Sequence, residues 1–215
     1  MTGSAVPVLE ARGLCCIRAD RLVFEALDFT ARGGEIWQVT GANGAGKTSL
    51  LRLLAGLGAP AEGELRWCGA PLPAARDQLQ ADLLFLGHLP AVAGFLSATE
   101  NLAHACALAG GAPRMPYADA LRHAGLPAAA FDSPAQRLSA GQKQRLALAR
   151  FACAPARLWI MDEPLTALDA EGRALVESLL LAHAAAGGLA VVSTHQTLAL
   201  PPTVLRQFAL RGAAA

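Results

Sequence analysis

Aromatic residues and charges are both scarce in this sequence: aromatics make up 5% of its 215 residues, with a single tyrosine, and charged side chains 16%. Its 18 basic and 17 acidic residues leave a formal charge of +1. The basic excess that draws a protein onto nucleic acid is therefore missing, and no nucleic-acid partner is expected. The five cysteines, Cys15, Cys16, Cys68, Cys106 and Cys153, are odd in number and form no CxxC pair. Reduced structural thiols are the plain reading. With no CxxCH element and no histidine cluster, nothing in the sequence directly indicates haem or transition-metal ligation. Long apolar runs are missing too, although 53% of the residues are hydrophobic. The charge-free stretch 83–99 is broken by Gly87, His88, Pro90 and Gly94. The stretch 178–205 is broken by Gly187-Gly188, by 193–196 and by Pro201-Pro202. A bilayer helix needs about 20 continuous apolar residues, so both stretches are expected to be buried core. The first residues show no basic segment followed by an apolar run, and no export signal is expected.

What is present alternates between strand and helix signals. The first forty residues read as β-structure, with Ala26–Thr30 and Glu35–Thr40 flanking a turn at Gly33-Gly34. A glycine-rich loop leads into a helical run from Thr48 to Ala55, closed by Gly56 and Gly58. Glu64–Cys68 is a short strand, and Leu83–Leu86 has the continuous apolar character of a buried parallel one. From about 88 to 153 the pattern is helical, with capping boxes at 97–100 and 139–142. Buried strands at 158–161 and 189–193 enclose a helix at 170–186. No internal repeat or low-complexity linker interrupts this order. It predicts an α/β fold with a mostly parallel sheet, an N-terminal antiparallel β part and a helical insertion.

Two segments carry recognisable chemistry. Gly41-Ala42-Asn43-Gly44-Ala45-Gly46-Lys47-Thr48, with Ser49 beside it, is a phosphate-binding loop placed between a strand and a helix. Glycines let backbone amides turn toward phosphate, and the helix N-terminus adds positive partial charge. Lys47 is expected to reach the β- and γ-phosphates of ATP, and the Thr48 hydroxyl to ligate Mg²⁺. Downstream, the apolar strand Leu158-Trp159-Ile160-Met161 ends in Asp162-Glu163. Asp162 is expected to hold Mg²⁺ through water, and Glu163 to polarise the attacking water. Each segment has a bland alternative, an incidental glycine turn and an acidic strand end facing solvent. Their order along one chain weighs against both.

Leu138-Ser139-Ala140-Gly141-Gln142 resembles the LSGGQ signature of the ABC ATPase family, with Ala140 in place of one glycine. An ordinary capped helix accounts for Ser139 and Gln142 but not for Gly141. The resemblance extends over nearly the whole chain. It implies a P-loop NTPase (RecA-like) core with a helical subdomain at roughly 88–153, all within one nucleotide-binding domain over 1–215. It also implies a homodimer in which Ser139, Gly141 and Gln142 meet the γ-phosphate of ATP held by the opposite subunit. Leu165-Thr166-Ala167-Leu168-Asp169 resembles the loop that crosses that dimer interface, and His195 the switch histidine at the γ-phosphate.

Two departures narrow the subfamily. His88 stands where the family usually has the glutamine near Mg²⁺ and the attacking water, and Arg18 where an aromatic side chain usually stacks on adenine. A guanidinium could stack there instead. Together with Ser97-Ala98-Thr99-Glu100-Asn101-Leu102 and Thr194-His195-Gln196, these positions resemble the cytochrome c biogenesis ATP-binding export proteins, the CcmA family. That resemblance implies a peripheral subunit on the cytoplasmic face of the bacterial inner membrane. Its partners would be a CcmB-like integral permease and further cytochrome c maturation components, and ATP turnover would support haem delivery or release of a haem-loaded chaperone. Another transporter cargo would use the same core. A soluble clamp on ribosomes or DNA would ordinarily bring a second cassette, coiled coils, zinc sites or basic tracts, none of which this sequence contains.

Overall fold

The structure, a computed structural model, describes residues 6–166 and 168–212. Val8–Arg18 (β1) and Arg21–Arg32 (β2) form a long antiparallel hairpin. Its tip is Ala19-Asp20, both at positive φ (47° and 60°), the backbone that a two-residue turn needs to follow the strand twist. Glu62–Trp67 (β4) pairs antiparallel with β1, and Ala70–Pro71 (β5) with β4. The turn at Gly33-Gly34 does not close a hairpin. It carries the chain out of this sheet into Ile36–Thr40 (β3), the first strand of a second sheet.

That second sheet has the order β6-β7-β8-β3-β9, and every pairing in it is parallel. Its other strands are Leu83–Leu86 (β6), Leu158–Asp162 (β7), Leu189–Ser193 (β8) and Leu205–Ala209 (β9). All residues of β7 and β8 are buried, as the apolar runs 158–161 and 189–192 require of strands covered on both faces. Lys47–Leu54 (α1) lies between the two sheets. Its buried Leu50, Leu51, Leu53 and Leu54 join Leu14, Phe29 and Trp67 from one sheet and Ile160 and Val191 from the other in one apolar cluster. Arg76–Asp82 (α2) precedes β6. Both carboxylate oxygens of Asp82 accept from Arg157 (2.7 and 2.6 Å), and one also accepts from Trp67 Nε1 (2.9 Å). These contacts fasten β4 and the start of β7 to one point.

Ala98–Leu108 (α3), Tyr117–His123 (α4) and Ala140–Cys153 (α5) pack on one another. Ser97 and Ser139 cap α3 and α5 through complete capping boxes with Glu100 and Gln142, as expected. Ala170–Ala185 (α6) packs against β8. The α/β class, the parallel sheet, the antiparallel N-terminal part and the helical insertion therefore agree with the sequence expectation. Three details differ. Residues 87–97 form no regular element. Neither α2 nor β9 was foreseen. The stretch 83–99 is not core throughout: Leu84 and Leu86 are buried, but Leu89 is 76% and Phe95 81% exposed. No helix among the described residues is long and apolar enough to cross a membrane.

Candidate functional site

The carboxyl ends of β3, β7 and β8 lie side by side, the position in an open parallel sheet where ligands bind. From β3 the chain runs through the loop 41–46 into α1. Gly41, Gly44 and Gly46 all have positive φ (151°, 82° and 97°). A Cβ at Gly41 would press on Leu210 O at 2.7 Å, and one at Gly46 would run into Val23 Cγ1. The loop's path is therefore closed to larger residues at these two points. No side chain caps α1 at Gly46, and its first turn holds no acid. Its positive end is left uncompensated, as an anion site requires.

Lys47 is only 8% exposed. Its ammonium donates to Gly41 O (2.9 Å) and Ala42 O (3.2 Å) and lies 3.1 Å from His195 Nε2. Thr48 Oγ1 donates to Asp162 Oδ2 at 2.7 Å, joining the start of α1 to the end of β7. A hydroxyl and a carboxylate at that spacing are hard oxygen donors of the kind Mg²⁺ prefers, so the residues fit the ion. Glu163 follows at φ 52°, and its Oε1 stands 3.4 Å from His195 Nε2.

Arg18, Asn43, Gly44, Gly46, Lys47, Thr48, Ser49, Asp162, Glu163 and His195 all line one cleft of about 510 Å³. Every one of them had been singled out from the sequence. Gly41, Ala42 and Ala45 complete the loop behind it. Arg18 enters from the tip of the β1–β2 hairpin, and among the described residues no aromatic side chain lines the cleft.

His88 lies elsewhere. It lines an adjoining cleft of about 260 Å³ with Gly141, Lys143 and Gln144, and the two clefts share Glu163 and Thr166. Ser139, Gln142 and Asp169 line neither cleft. The side chains of Ser139 and Gln142 are engaged in the capping box of α5. Asp169 caps α6 by accepting from Gly172 N (2.8 Å), and it also pairs with Arg145. The Gly172 amide first, and then Arg145, hold its carboxyl below the usual carboxylate range. A Cβ built on exposed Gly141 would meet nothing within 4 Å. Ala167, within the loop that resembles the interface crossing, lies outside the described residues.

Sequence reasoning assigned no role to Gln38. It is buried in β3, and its Nε2 donates to Gln196 O (2.9 Å), pinning the segment that carries His195. A glutamine between Trp37 and Val39 in an otherwise core strand was the available signal. Ser193 appeared only as the residue leading to His195. Its hydroxyl donates to Asp162 Oδ1 at 2.5 Å.

Comparison with known proteins agrees with this geometry. The ABC transporter family model matches residues 24–166. The chain is 50% identical to the cytochrome c biogenesis ATP-binding export protein CcmA of Methylococcus capsulatus, over 87% of this chain and 91% of that one. It is 47% identical to the Salmonella typhi protein of the same name, over 97% and 99%. Among solved structures, a putative ABC transporter ATP-binding protein from Pyrococcus furiosus superposes with a TM-score of 0.77 at 24% identity, over 93% and 96% of the two chains. A dimeric ATP-binding cassette in a post-hydrolysis state with ADP and Pi gives 0.78 at 21%, over 94% of each.

Proposed function

This chain belongs to the ABC transporter ATPases, and among them to the cytochrome c biogenesis ATP-binding export proteins; from that premise we propose that it powers the handling of haem during c-type cytochrome assembly. Its role as an ATP-hydrolysing transporter subunit follows from the family. The cargo is the proposed step, and the observation that carries it is near 50% identity along almost the whole chain. In this reading the subunit sits on the cytoplasmic face of the inner membrane, as a homodimer under a CcmB-like permease, with other maturation components nearby. Deleting the chain should remove the haem-staining bands of c-type cytochromes and leave b-type spectra unchanged. Bands of normal intensity would overturn the cargo assignment and leave the ATPase intact.

The geometry of the cleft supports these roles for its residues. Backbone amides of 41–46 and the first turn of α1 hold the phosphates, and Lys47 offers its ammonium to their oxygens. Thr48 and Asp162 are the residues that would hold Mg²⁺, Asp162 through water; the ion would neutralise charge on the β- and γ-phosphates. Glu163 orients and polarises the attacking water. His195, between Lys47 and Glu163, is placed to sense the γ-phosphate. Arg18, at the tip of the β1–β2 hairpin, lines the same cleft and supplies a flat cation for the base. His88 borders Glu163 from the neighbouring cleft, and exposed Leu89 and Phe95 follow it. We assign it the coupling of a permease to the site. Residues 88–153 form the helical lobe of one nucleotide-binding domain.

Ser139, Gly141, Gln142 and Asp169 work across the dimer. The open space around Gly141 supports this, because nothing inside the chain demands a glycine there. Gly141→Asp should therefore fold normally and still bind ATP at a single site. Between two subunits its carboxylate would face phosphate and oppose closure through like-charge repulsion. Cooperative hydrolysis should disappear. Parallel loss of ATP binding and hydrolysis, measured by nucleotide titration and phosphate release, would count against action in trans.

A further inference from the structure

Ser193 ends β8, a strand buried at every residue, where an apolar side chain would pack without desolvating a hydroxyl. Its hydroxyl has one proton to give and lone pairs to receive, and both capacities are used. It donates to Asp162 Oδ1 (2.5 Å) and accepts from Glu163 N (3.1 Å). The same Glu163 amide also reaches Ser193 O (3.0 Å). Glu163 adopts φ 52°, a left-handed conformation disfavoured for a residue with a Cβ. In that conformation its carboxylate leaves the line of β7 and faces His195. The other oxygen of Asp162 is occupied by Thr48, so the Ser193 hydroxyl is what fixes the free one.

We infer that Ser193 is a positioning residue for ATP hydrolysis, its buried hydroxyl orienting the Asp162 carboxylate and, together with its own backbone carbonyl, holding the left-handed turn that aims Glu163. This rests on the reading of Asp162 and Glu163 as the ion-holding and water-polarising acids. Ser193 is fully buried and does not line the cleft. It acts through the two acids, much as an outer-shell partner orients a metal ligand.

The test uses the full chain with Ser193→Ala, Ser193→Thr and, in parallel, Glu163→Gln. Ser193→Ala should bind ATP with affinity within about threefold of wild type and keep its KM, while kcat falls ~10- to 100-fold. Ser193→Thr retains the hydroxyl and should recover most of that loss. A second readout does not depend on turnover: amide hydrogen exchange over 162–166, without nucleotide, should quicken in Ser193→Ala and return toward wild type in Ser193→Thr. Ser193→Ala turning over at the wild-type rate beside an inactive Glu163→Gln would overturn this proposal alone. Ser193→Thr as slow as Ser193→Ala, with both folded and binding ATP, would show that the hydroxyl is not the operative group. An unimpaired Glu163→Gln would remove Glu163 from the chemistry, and with it the reading on which this proposal rests.

Discussion

Glu163→Gln should bind ATP as wild type does and hydrolyse it ~10² to 10⁴ times more slowly, the usual effect of losing a general base. The change is close to isosteric, so the effect must come from chemistry. Glutamine keeps the length, fits the same turn at φ 52° and still offers its backbone amide to Ser193. Its side-chain amide cannot draw a proton from water. The local contact also changes. Glu163 Oε1 lies 3.4 Å from His195 Nε2, and a neutral amide there can turn either its oxygen or its NH₂ toward the imidazole. Neither arrangement restores a base. Because ATP would persist in the cleft, subunits that close around it should stay closed. Gel filtration in Mg-ATP should then move the variant to the dimer position, while a phosphate-release assay reads near background. A monomer with wild-type turnover would take Glu163 out of the mechanism.

The parts of this site that were legible in the sequence are those whose chemistry is local. The loop 41–48 needs its glycines, lysine and hydroxyl within eight consecutive residues, and Asp162-Glu163 stand together at the end of an apolar run. Both features survive translation into a string of letters. The capping boxes at Ser97 and Ser139 are legible for the same reason, since each is closed within four residues. What stayed hidden depends on distant parts of the chain. The β9 strand is short, follows Pro201-Pro202 and carries Arg206 and Gln207; it becomes a strand by pairing with β3, whose Ile36 lies opposite Leu205 from far earlier in the chain. The seven residues of α2 have no side-chain cap to announce them. Leu89 and Phe95 look like core because hydrophobicity is read residue by residue, whereas exposure is decided by what the fold places over them. The adjacency of Ser193 to Asp162 and Glu163, and of Gln38 to Gln196, exists only once β7, β8 and β3 are laid side by side.

Lys47→Ala should leave the protein folded and abolish c-type cytochrome production, which separates the energy source from the mere presence of the subunit. Position 47 opens α1, where alanine is at least as good a helix former as lysine. Among the described residues, the ammonium's hydrogen-bond contacts are two carbonyls of its own loop and the His195 ring. Gly41 is at the loop's surface edge and Ala42 is exposed, so water can replace those donors and the melting temperature should change little. The effect on ATP is larger. Each charge-assisted hydrogen bond from the ammonium to phosphate contributes about 1.5–3 kcal/mol, and about 1.4 kcal/mol is a factor of ten in affinity. ATP binding should therefore weaken at least tenfold, and hydrolysis should fall below detection because the charge building on the γ-phosphate loses the Lys47 ammonium. In cells the variant should accumulate to wild-type levels and remain with the membrane fraction. Haem-stained c-type bands should vanish while b-type absorbance is kept. Normal c-type bands from a variant shown to be unable to hydrolyse ATP would mean that the subunit serves cytochrome assembly as a scaffold, and the proposed energetic role would fall.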